Sequence, residues 1–118
     1  MRIDVAFTAG ERGGTIVSGR TAVVVDVLRA TSTIVHALVN GAKNVIPVAT
    51  VAEAALKKNE LGRDTALLCG ERGSEPIPGF DLGNAPPEFT AEAVAGRTLV
   101  MTTTNGTPAL LSTAGANT

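Results

Sequence analysis

The sequence predicts an α/β fold with three layers, α/β/α, around a mainly parallel, Rossmann-like sheet. Short β-branched runs alternate with helical stretches along the chain, an order typical of right-handed βαβ crossovers and a parallel sheet. Hydrophobic residues make up 44% of the 118 residues but include only three Phe and no Tyr or Trp, so the core is expected to be aliphatic. The length suits a single α/β domain over residues 1–118.

The first third of the chain predicts two strands, a loop and a helix. Arg2–Phe7 is expected to be a strand, and the glycine-rich stretch Ala9–Arg20 a loop or hairpin. The continuous apolar run Thr21–Val27 predicts a strand that is covered on both faces. Apolar residues then recur at helical spacing over Thr31–Asn40, and Gly41 follows where a left-handed C-cap would lie.

A strand, a helix and another strand are expected next. Lys43–Val48 predicts the first of these strands. Thr50 and Glu53 have the spacing of a capping box, which predicts a helix that ends at Gly62. Thr65–Gly70 predicts the second strand.

The remaining elements follow a long proline-rich loop over residues 71–89. They are expected in this order: a short helix capped by Thr90 and running through Val94, a strand over Arg97–Thr104, a turn at Asn105–Gly106, and a helix over Thr107–Leu111 with Pro108 at its first position. A loop of that length in so short a chain is usually functional or disordered.

Composition excludes several classes of protein. Ten basic and eleven acidic residues leave a net charge of −1, which argues against a nucleic-acid binder that works by bulk charge. Asp4 interrupts the apolar segment that a signal peptide would need, and no apolar run approaches the roughly 20 residues that span a bilayer. The single cysteine, Cys69, fits a reducing compartment. We expect a cytoplasmic protein that has no nucleic-acid or membrane partner.

Polar residues follow three of the predicted strands. In parallel sheets, ligands bind outside the carboxyl ends of the strands. Asp26–Thr33, Gly70–Arg72 and Thr102–Gly106 all lie at such ends and carry groups that can hold a metal or a phosphate. Because βαβ geometry brings these ends together, the sequence predicts a site at this edge of the sheet.

The first of these segments joins an acid, a base and three hydroxyls at a helix start. The N-terminus of a helix offers unpaired N–H groups to an anion, and Arg29 adds a bidentate donor. With Thr31, Ser32 and Thr33, this predicts a phosphate cradle beside a metal-binding carboxylate, Asp26. The alternative is structural: Asp26 caps the turn, and Thr31 or Ser32 caps the helix.

Three further charged residues complete the predicted site. Glu71 and Arg72 form either a functional acid–base pair or a surface salt bridge. Asp81 lies between glycines and is either an oxygen ligand for Mg²⁺ or the centre of its own turn. Together, Asp26, Glu71 and Asp81 can supply a cation site while the arginines and hydroxyls face an anion, which is the equipment for metal-assisted phosphoryl transfer.

Two other reactive side chains have simpler interpretations. His36 lies beside the apolar stripe of its helix and is interpreted as a surface residue. Cys69 could be a nucleophile, but its apolar neighbours favour a buried, inert thiol.

Four motifs in the same order resemble the 2-phosphosulfolactate phosphatase (ComB-like) family. They are "VVVDVLRATSTIVHALVNGAKNVIPV", "CGERG", "GFDLGNAPPEFT" and "LVMTTTNGT". The resemblance runs from Asp4 to about Leu110 and covers only the N-terminal portion of longer family members. It therefore implies that this chain is an incomplete part of a larger fold.

The resemblance implies a Mg²⁺-dependent phosphatase that hydrolyses 2-phosphosulfolactate to sulfolactate and phosphate, in coenzyme M biosynthesis, or acts on a related phosphorylated 2-hydroxy acid. The site residues that it implies are Asp26, Arg29, Thr31–Thr33, Glu71, Arg72, Asp81, Asn84, Thr104, Asn105 and Gly106. Of these, Asp26, Arg29, Glu71 and Arg72 are the expected catalytic group, and Asn84 and Thr104–Gly106 are expected to bind phosphate with Arg29 and the hydroxyls. Two alternatives remain open: a non-catalytic module that binds an anion or assembles with a second copy, and a Cys69-dependent hydrolase.

Overall fold

The computed structural model describes residues 1–11 and 17–118. Its sheet has four strands in the order β1-β4-β2-β3. Their bounds are β1 Asn44–Pro47, β2 Ala66–Arg72, β3 Glu75–Pro76 and β4 Thr98–Thr102. Strand β4 pairs in parallel with both β1 and β2, and the short β3 pairs antiparallel with β2. The predicted α/β class with a mainly parallel sheet is confirmed.

Helices connect the strands as the alternating pattern predicts. Their bounds are α1 Ala30–Val39, α2 Val51–Leu61, α3 Ala91–Val94 and α4 Gly106–Leu111, with a 3₁₀ turn at Pro86–Glu88 inside the long loop. None of the helices within the described residues is long and apolar enough to cross a membrane. The predicted first position of Pro108 in the last helix is wrong, because α4 begins two residues earlier at Gly106.

Helix α2 begins and ends at the predicted residues. The Thr50 hydroxyl accepts a hydrogen bond from the Glu53 N–H at 3.1 Å. The Glu53 carboxylate accepts from the N–H of Ala49 at 2.9 Å, one residue earlier than a capping box requires. Gly62 follows the helix with φ +94°, a conformation that glycine adopts without a steric penalty.

Two hydrophobic clusters lie on opposite faces of the sheet, because successive side chains of β4 alternate in direction. Leu99 and Met101 pack with Ala37 of α1 and Val94 of α3. Val100 packs in the other cluster, which includes a buried alanine of α2. The core is aliphatic apart from Phe89 and the partly buried Phe80. The complete three-layer arrangement and the single-domain boundary stay predictions.

The two strands predicted before α1 are wrong. Neither Arg2–Phe7 nor Thr21–Val27 is a strand. Both edges of β4 are already paired with β1 and β2, and residues 81–83 hydrogen-bond along the outer side of β2. The valine run also forms no strand pairing with β1, the end strand of the described sheet, although the outer edge of β1 is unpaired there.

The valine run also differs from the prediction in its burial. Val23, Val25 and Val27 are 81%, 74% and 63% exposed, whereas Val24 between them is half-buried. Only one face of this segment is covered. At its start, the N–H of Ala22 donates to the carbonyl of Thr118 at 2.7 Å. The predicted loop Ala9–Arg20 lies partly outside the described residues.

Candidate active site

A polar cleft of about 130 Å³ lies where β2 and β4 end and α1 begins. This is the edge of the sheet at which ligands bind in parallel α/β folds. The cleft is lined by Asp26, Leu28, Arg29, Glu71, Gly73, Ser74, Asn84, Thr103, Thr104 and Asn105. The structure thus brings together residues from three of the motifs in the sequence and Asn84 from the fourth.

Asp26 is fixed through its backbone, which leaves its carboxylate available. The Thr31 hydroxyl donates to the Asp26 carbonyl at 2.7 Å and accepts from the Asp26 N–H at 3.0 Å. Among residues 1–11 and 17–118, no group donates a hydrogen bond to the carboxylate itself. Gly106 allows this close packing, since a Cβ there would overlap Ala30 and lie 2.9 Å from Asp26 Oδ2.

Glu71 is a buried carboxylate that accepts three hydrogen bonds. The N–H and hydroxyl of Thr104 donate at 2.7 and 2.9 Å, and the N–H of Ser74 donates at 2.7 Å. Burial by itself would raise the pKa of Glu71, but these three donors, with the charge of Arg72, lower it below its ordinary value of 4.5. Glu71 is therefore an ionised group that links Ser74 to Thr104, which line two parts of the cleft.

Among the described residues that line the cleft, Arg29 carries the positive charge. It is half-buried, and its guanidinium forms no ion pair with any residue in the described part of the chain. A guanidinium in this state can donate two parallel hydrogen bonds to a phosphate or carboxylate. The cleft therefore holds two carboxylates and one guanidinium, which are groups for a cation and for an anion respectively.

Comparison with known proteins decides the family. A family model described as 2-phosphosulpholactate phosphatase matches residues 6–118. The chain belongs to this phosphatase family. The resemblance on which the sequence was interpreted is confirmed.

Relatives in the family carry the same name. The chain is similar to three proteins, each named probable 2-phosphosulfolactate phosphatase. It is 52% identical to the one from Clostridium acetobutylicum over 93% of this chain, 61% identical to that of Thermotoga petrophila over 75% of it, and 55% identical to that of Caldanaerobacter subterraneus subsp. tengcongensis over 82% of it. The matched regions cover 46%, 37% and 40% of those relatives, so the chain spans less than half of their length.

Within this family member, the hydroxyls after Asp26 do not line the cleft. Ser32 donates to the carbonyl of Val27 at 2.7 Å, and the fully buried Thr33 donates to the carbonyl of Asn84 at 3.1 Å. With Thr31, all three hydroxyls bond to backbone groups. Their phosphate-binding role stays a prediction. The predicted alternative of a hydroxyl cap is wrong, because Arg29 is at the N-cap position of α1 with no side-chain cap bond, and the hydroxyls of Thr31 and Ser32 donate to preceding carbonyls.

Two predicted charged residues lie outside the cleft. The Arg72 guanidinium donates to Thr102 Oγ1 at 2.6 Å and to the Ala49 carbonyl at 3.1 Å, and so joins β2 to the ends of β4 and β1. Asp81 forms an ion pair with Lys58 of α2 at 2.6 Å and accepts from the N–H of Leu68 at 2.7 Å. Their functional roles stay predictions that this geometry does not support.

The electrostatics of Asp81 suit a structural ion pair. Burial would raise its pKa, but the hydrogen bonds from Lys58 and from the Leu68 N–H, together with nearby positive charge, lower it below the ordinary 3.8. Among the described residues, no group of three or more His, Cys, Asp or Glu side chains is arranged to hold a metal ion.

The segment Thr104–Gly106 lies at the cleft as predicted. Thr104 and Asn105 line it, and Gly106 packs beside Asp26. The Thr104 hydroxyl is held on both sides, since it donates to Glu71 and accepts from the N–H of Gly73 at 2.9 Å. The Thr104 hydroxyl can therefore bind a ligand only by giving up one of these two hydrogen bonds.

Sequence reasoning missed two features of the cleft. Gly73 and Ser74 form a turn with φ of +58° and +71° that closes one wall. Thr103 and Thr107 exchange hydrogen bonds at 2.9 Å, each hydroxyl accepting from the other's N–H, and so fix the start of α4. The sequence signal for that pair is two threonines four positions apart at the start of a helix.

Cys69 and His36 have the exposure that the sequence predicted. Cys69 is fully buried, and its pKa is raised far above the ordinary value by burial and then by the charges of Asp81 and Glu88. A thiol in this state is a poor nucleophile. His36 is exposed on α1. The predictions of a buried thiol and a surface histidine are confirmed.

Proposed function

We propose that this chain forms the phosphate-binding part of a Mg²⁺-dependent phosphatase that hydrolyses 2-phosphosulfolactate to sulfolactate and phosphate, or a related phosphorylated 2-hydroxy acid. The observation that carries the proposal is the cleft itself, where Asp26, Glu71 and Arg29, which has no ion-pair partner among the described residues, meet at the carboxyl edge of the sheet. The names of the relatives support the substrate. With that substrate, the reaction would belong to coenzyme M biosynthesis.

The donor set of the cleft fits Mg²⁺, which prefers carboxylate and carbonyl oxygens. Asp26 would hold the ion, since its carboxylate has no donor among the described residues. Glu71 would add negative charge from a fixed position, because its hydrogen bonds keep it ionised. When bound, Mg²⁺ would neutralise phosphate charge and orient the attacking group.

In this proposal, the side chains of Arg29 and Asn105 bind the phosphoryl group. Arg29 would bind the phosphoryl oxygens through its two parallel donors, and Asn105 would contact the same group from the end of β4. Hydrolysis adds one water: the new P–O bond comes from water, the ester P–O bond breaks, and the leaving oxygen takes a proton to become the 2-hydroxyl group.

Phosphate release from 2-phosphosulfolactate tests the proposal. We expect release with Mg²⁺, its loss with EDTA, and recovery when Mg²⁺ is added back. Asp26→Asn should lower the rate on the order of 100-fold, the scale seen when a group that orients a metal is removed. Asp64→Asn, at an exposed position outside the cleft, is the matched control. Unchanged turnover in Asp26→Asn, or no release from any 2-phospho-hydroxy acid, would contradict the proposal.

A binding module without catalysis is the second candidate. Arg29, which forms no ion pair within residues 1–11 and 17–118, favours it equally. Such a module would bind sulfate or phosphate with the same affinity in EDTA as in Mg²⁺, and it would release no phosphate. The third candidate, a Cys69-dependent hydrolase, is disfavoured because the thiol is buried and its pKa is raised.

A further inference from the structure

We propose that the side-chain amide oxygen of Asn84 is a ligand for a divalent cation in the cleft, beside Asp26. The inference rests on the proposed function in that it uses the same cleft, but it concerns cation binding in the absence of substrate. It replaces Asp81, whose carboxylate is committed to Lys58 and to the N–H of Leu68. It also differs from the phosphate-binding role that the family resemblance implies for Asn84.

The first support is an unpartnered atom. Asn84 lines the cleft, is only 6% exposed, and its Oδ1 has no hydrogen-bond partner within residues 1–11 and 17–118. A buried acceptor without a donor is unfavourable, and native proteins pair nearly all such atoms with protein, water or an ion. The position of Asn84 in the cleft makes a bound ligand the natural partner.

The second support is the rigid attachment of this residue. The carbonyl of Asn84 accepts from Thr33 of α1 at 3.1 Å. The preceding residue, Gly83, accepts from the N–H of Gly70 at the end of β2 at 2.9 Å, and its own N–H donates to the Glu88 carboxylate at 2.7 Å. The chain on either side of the amide is thus anchored to two elements, which is how a preorganised ligand is held.

The third support is the chemistry of the neighbours. An amide oxygen accepts hydrogen bonds or coordinates cations, so it does not bind the unprotonated oxygens of phosphate, which are themselves acceptors. Asp26 and Glu71 supply two more acceptors in the same cleft, against one guanidinium from Arg29. Carboxylate and amide carbonyl oxygens together form the ligand type that Mg²⁺ and Mn²⁺ prefer.

Binding of Mn²⁺ to the 118-residue chain, measured by electron paramagnetic resonance without substrate and repeated with Mg²⁺ by calorimetry, tests the inference. We expect Asn84→Ala to weaken Mn²⁺ binding about 10- to 100-fold. Asn84→Asp keeps an oxygen at the same position and adds charge, so it should bind Mn²⁺ at least as tightly as the parent chain. Asn59→Ala, at an exposed site on α2, is the matched control and should bind as the parent does.

Several results would overturn the inference. One is unaltered Mn²⁺ affinity in Asn84→Ala, and another is no detectable binding by the parent chain at millimolar Mn²⁺. A third is weaker binding by Asn84→Asp, which would assign the contact to the amide N–H₂ group. If Asn84→Ala does not fold, Asn84→Asp decides, together with the rise in its Tm on adding Mn²⁺.

Failure of the inference can be told from failure of the proposed function. Asn84-dependent Mn²⁺ binding without phosphate release would leave the inference standing and remove the phosphatase. Phosphate release that depends on Mg²⁺, with Asn84→Ala binding the ion as the parent does, would do the reverse.

Discussion

At the residue scale, the cleft depends on contacts that have no room for larger side chains. A Cβ at Gly106 would overlap Ala30 and crowd Asp26, and a Cβ at Gly70 would overlap the carbonyl of Thr102. Gly70 also has φ +138°, a region that other residues rarely adopt. These two glycines were visible in the sequence, but the close approaches that require them were not, since both partners are distant along the chain.

Gly106→Ala is expected to destabilise the protein by about 1–3 kcal/mol, the usual cost of adding a methyl group to a packed site. The new Cβ would overlap the Ala30 side chain and crowd Asp26 Oδ2. Urea unfolding followed by circular dichroism measures this change in the free energy of unfolding. Gly10→Ala is the control, because a Cβ at Gly10 meets nothing within 4 Å. Equal stability of the two variants would mean that Gly106 is not tightly packed.

At the element scale, one ion pair links α2 to the loop beside β2. Lys58 and Asp81 are 18% and 34% exposed in their side chains and meet at 2.6 Å, and Asp81 also accepts from Leu68 of β2. The sequence predicted both elements, yet it assigned Asp81 to a metal. Lys58, which forms the ion pair with Asp81, lies 23 residues away in the sequence.

Asp81→Asn is expected to lower the free energy of unfolding by about 1 kcal/mol, because a partly exposed charged hydrogen bond is lost while the Leu68 N–H keeps an acceptor. It should leave Mn²⁺ affinity unchanged, since Asp81 does not line the cleft. Glu60→Gln removes the exposed pair with Lys57 and serves as the control, with almost no effect on stability. A large loss of Mn²⁺ affinity in Asp81→Asn would restore the metal role predicted from the sequence.

At the scale of the whole molecule, two carboxylates, the buried Glu71 and the partly exposed Asp81, make stability depend on pH. The folded-state pKa values of Glu71 and Asp81 lie below their ordinary values of 4.5 and 3.8. A carboxylate with a depressed pKa stabilises the fold fully above its unfolded pKa, and this contribution is lost as the pH falls through the folded pKa.

Urea unfolding between pH 7 and pH 3 should therefore show little change in these contributions near neutrality and a falling free energy of unfolding below about pH 4.5. Glu71→Gln should be less stable at pH 7 and should show a shallower decline in acid. Glu75→Gln, at an exposed position on β3, is the control and should follow the parent curve. A parent curve that is flat down to pH 3 would contradict the depressed pKa values.

The sequence alone determined the local features of this protein: the helices, the caps at Thr50 and Thr90, the strands β1, β2 and β4, and the placing of the polar motifs at one edge of the sheet. Periodicity and capping depend on neighbours within a few residues, so they can be read directly. The family resemblance came from the same motifs, and the match over residues 6–118 confirms it.

Only the tertiary structure decided which side chains reach the cleft. Glu71 finds its donor Thr104 at a separation of 33 residues, while the hydroxyls of Thr31–Thr33 bond to backbone groups and Arg72 lies outside the cleft. The valine run likewise pairs with no strand of the described sheet. Hydrogen-bond partners and free sheet edges are properties of the packed chain, and no local pattern in the sequence carries them.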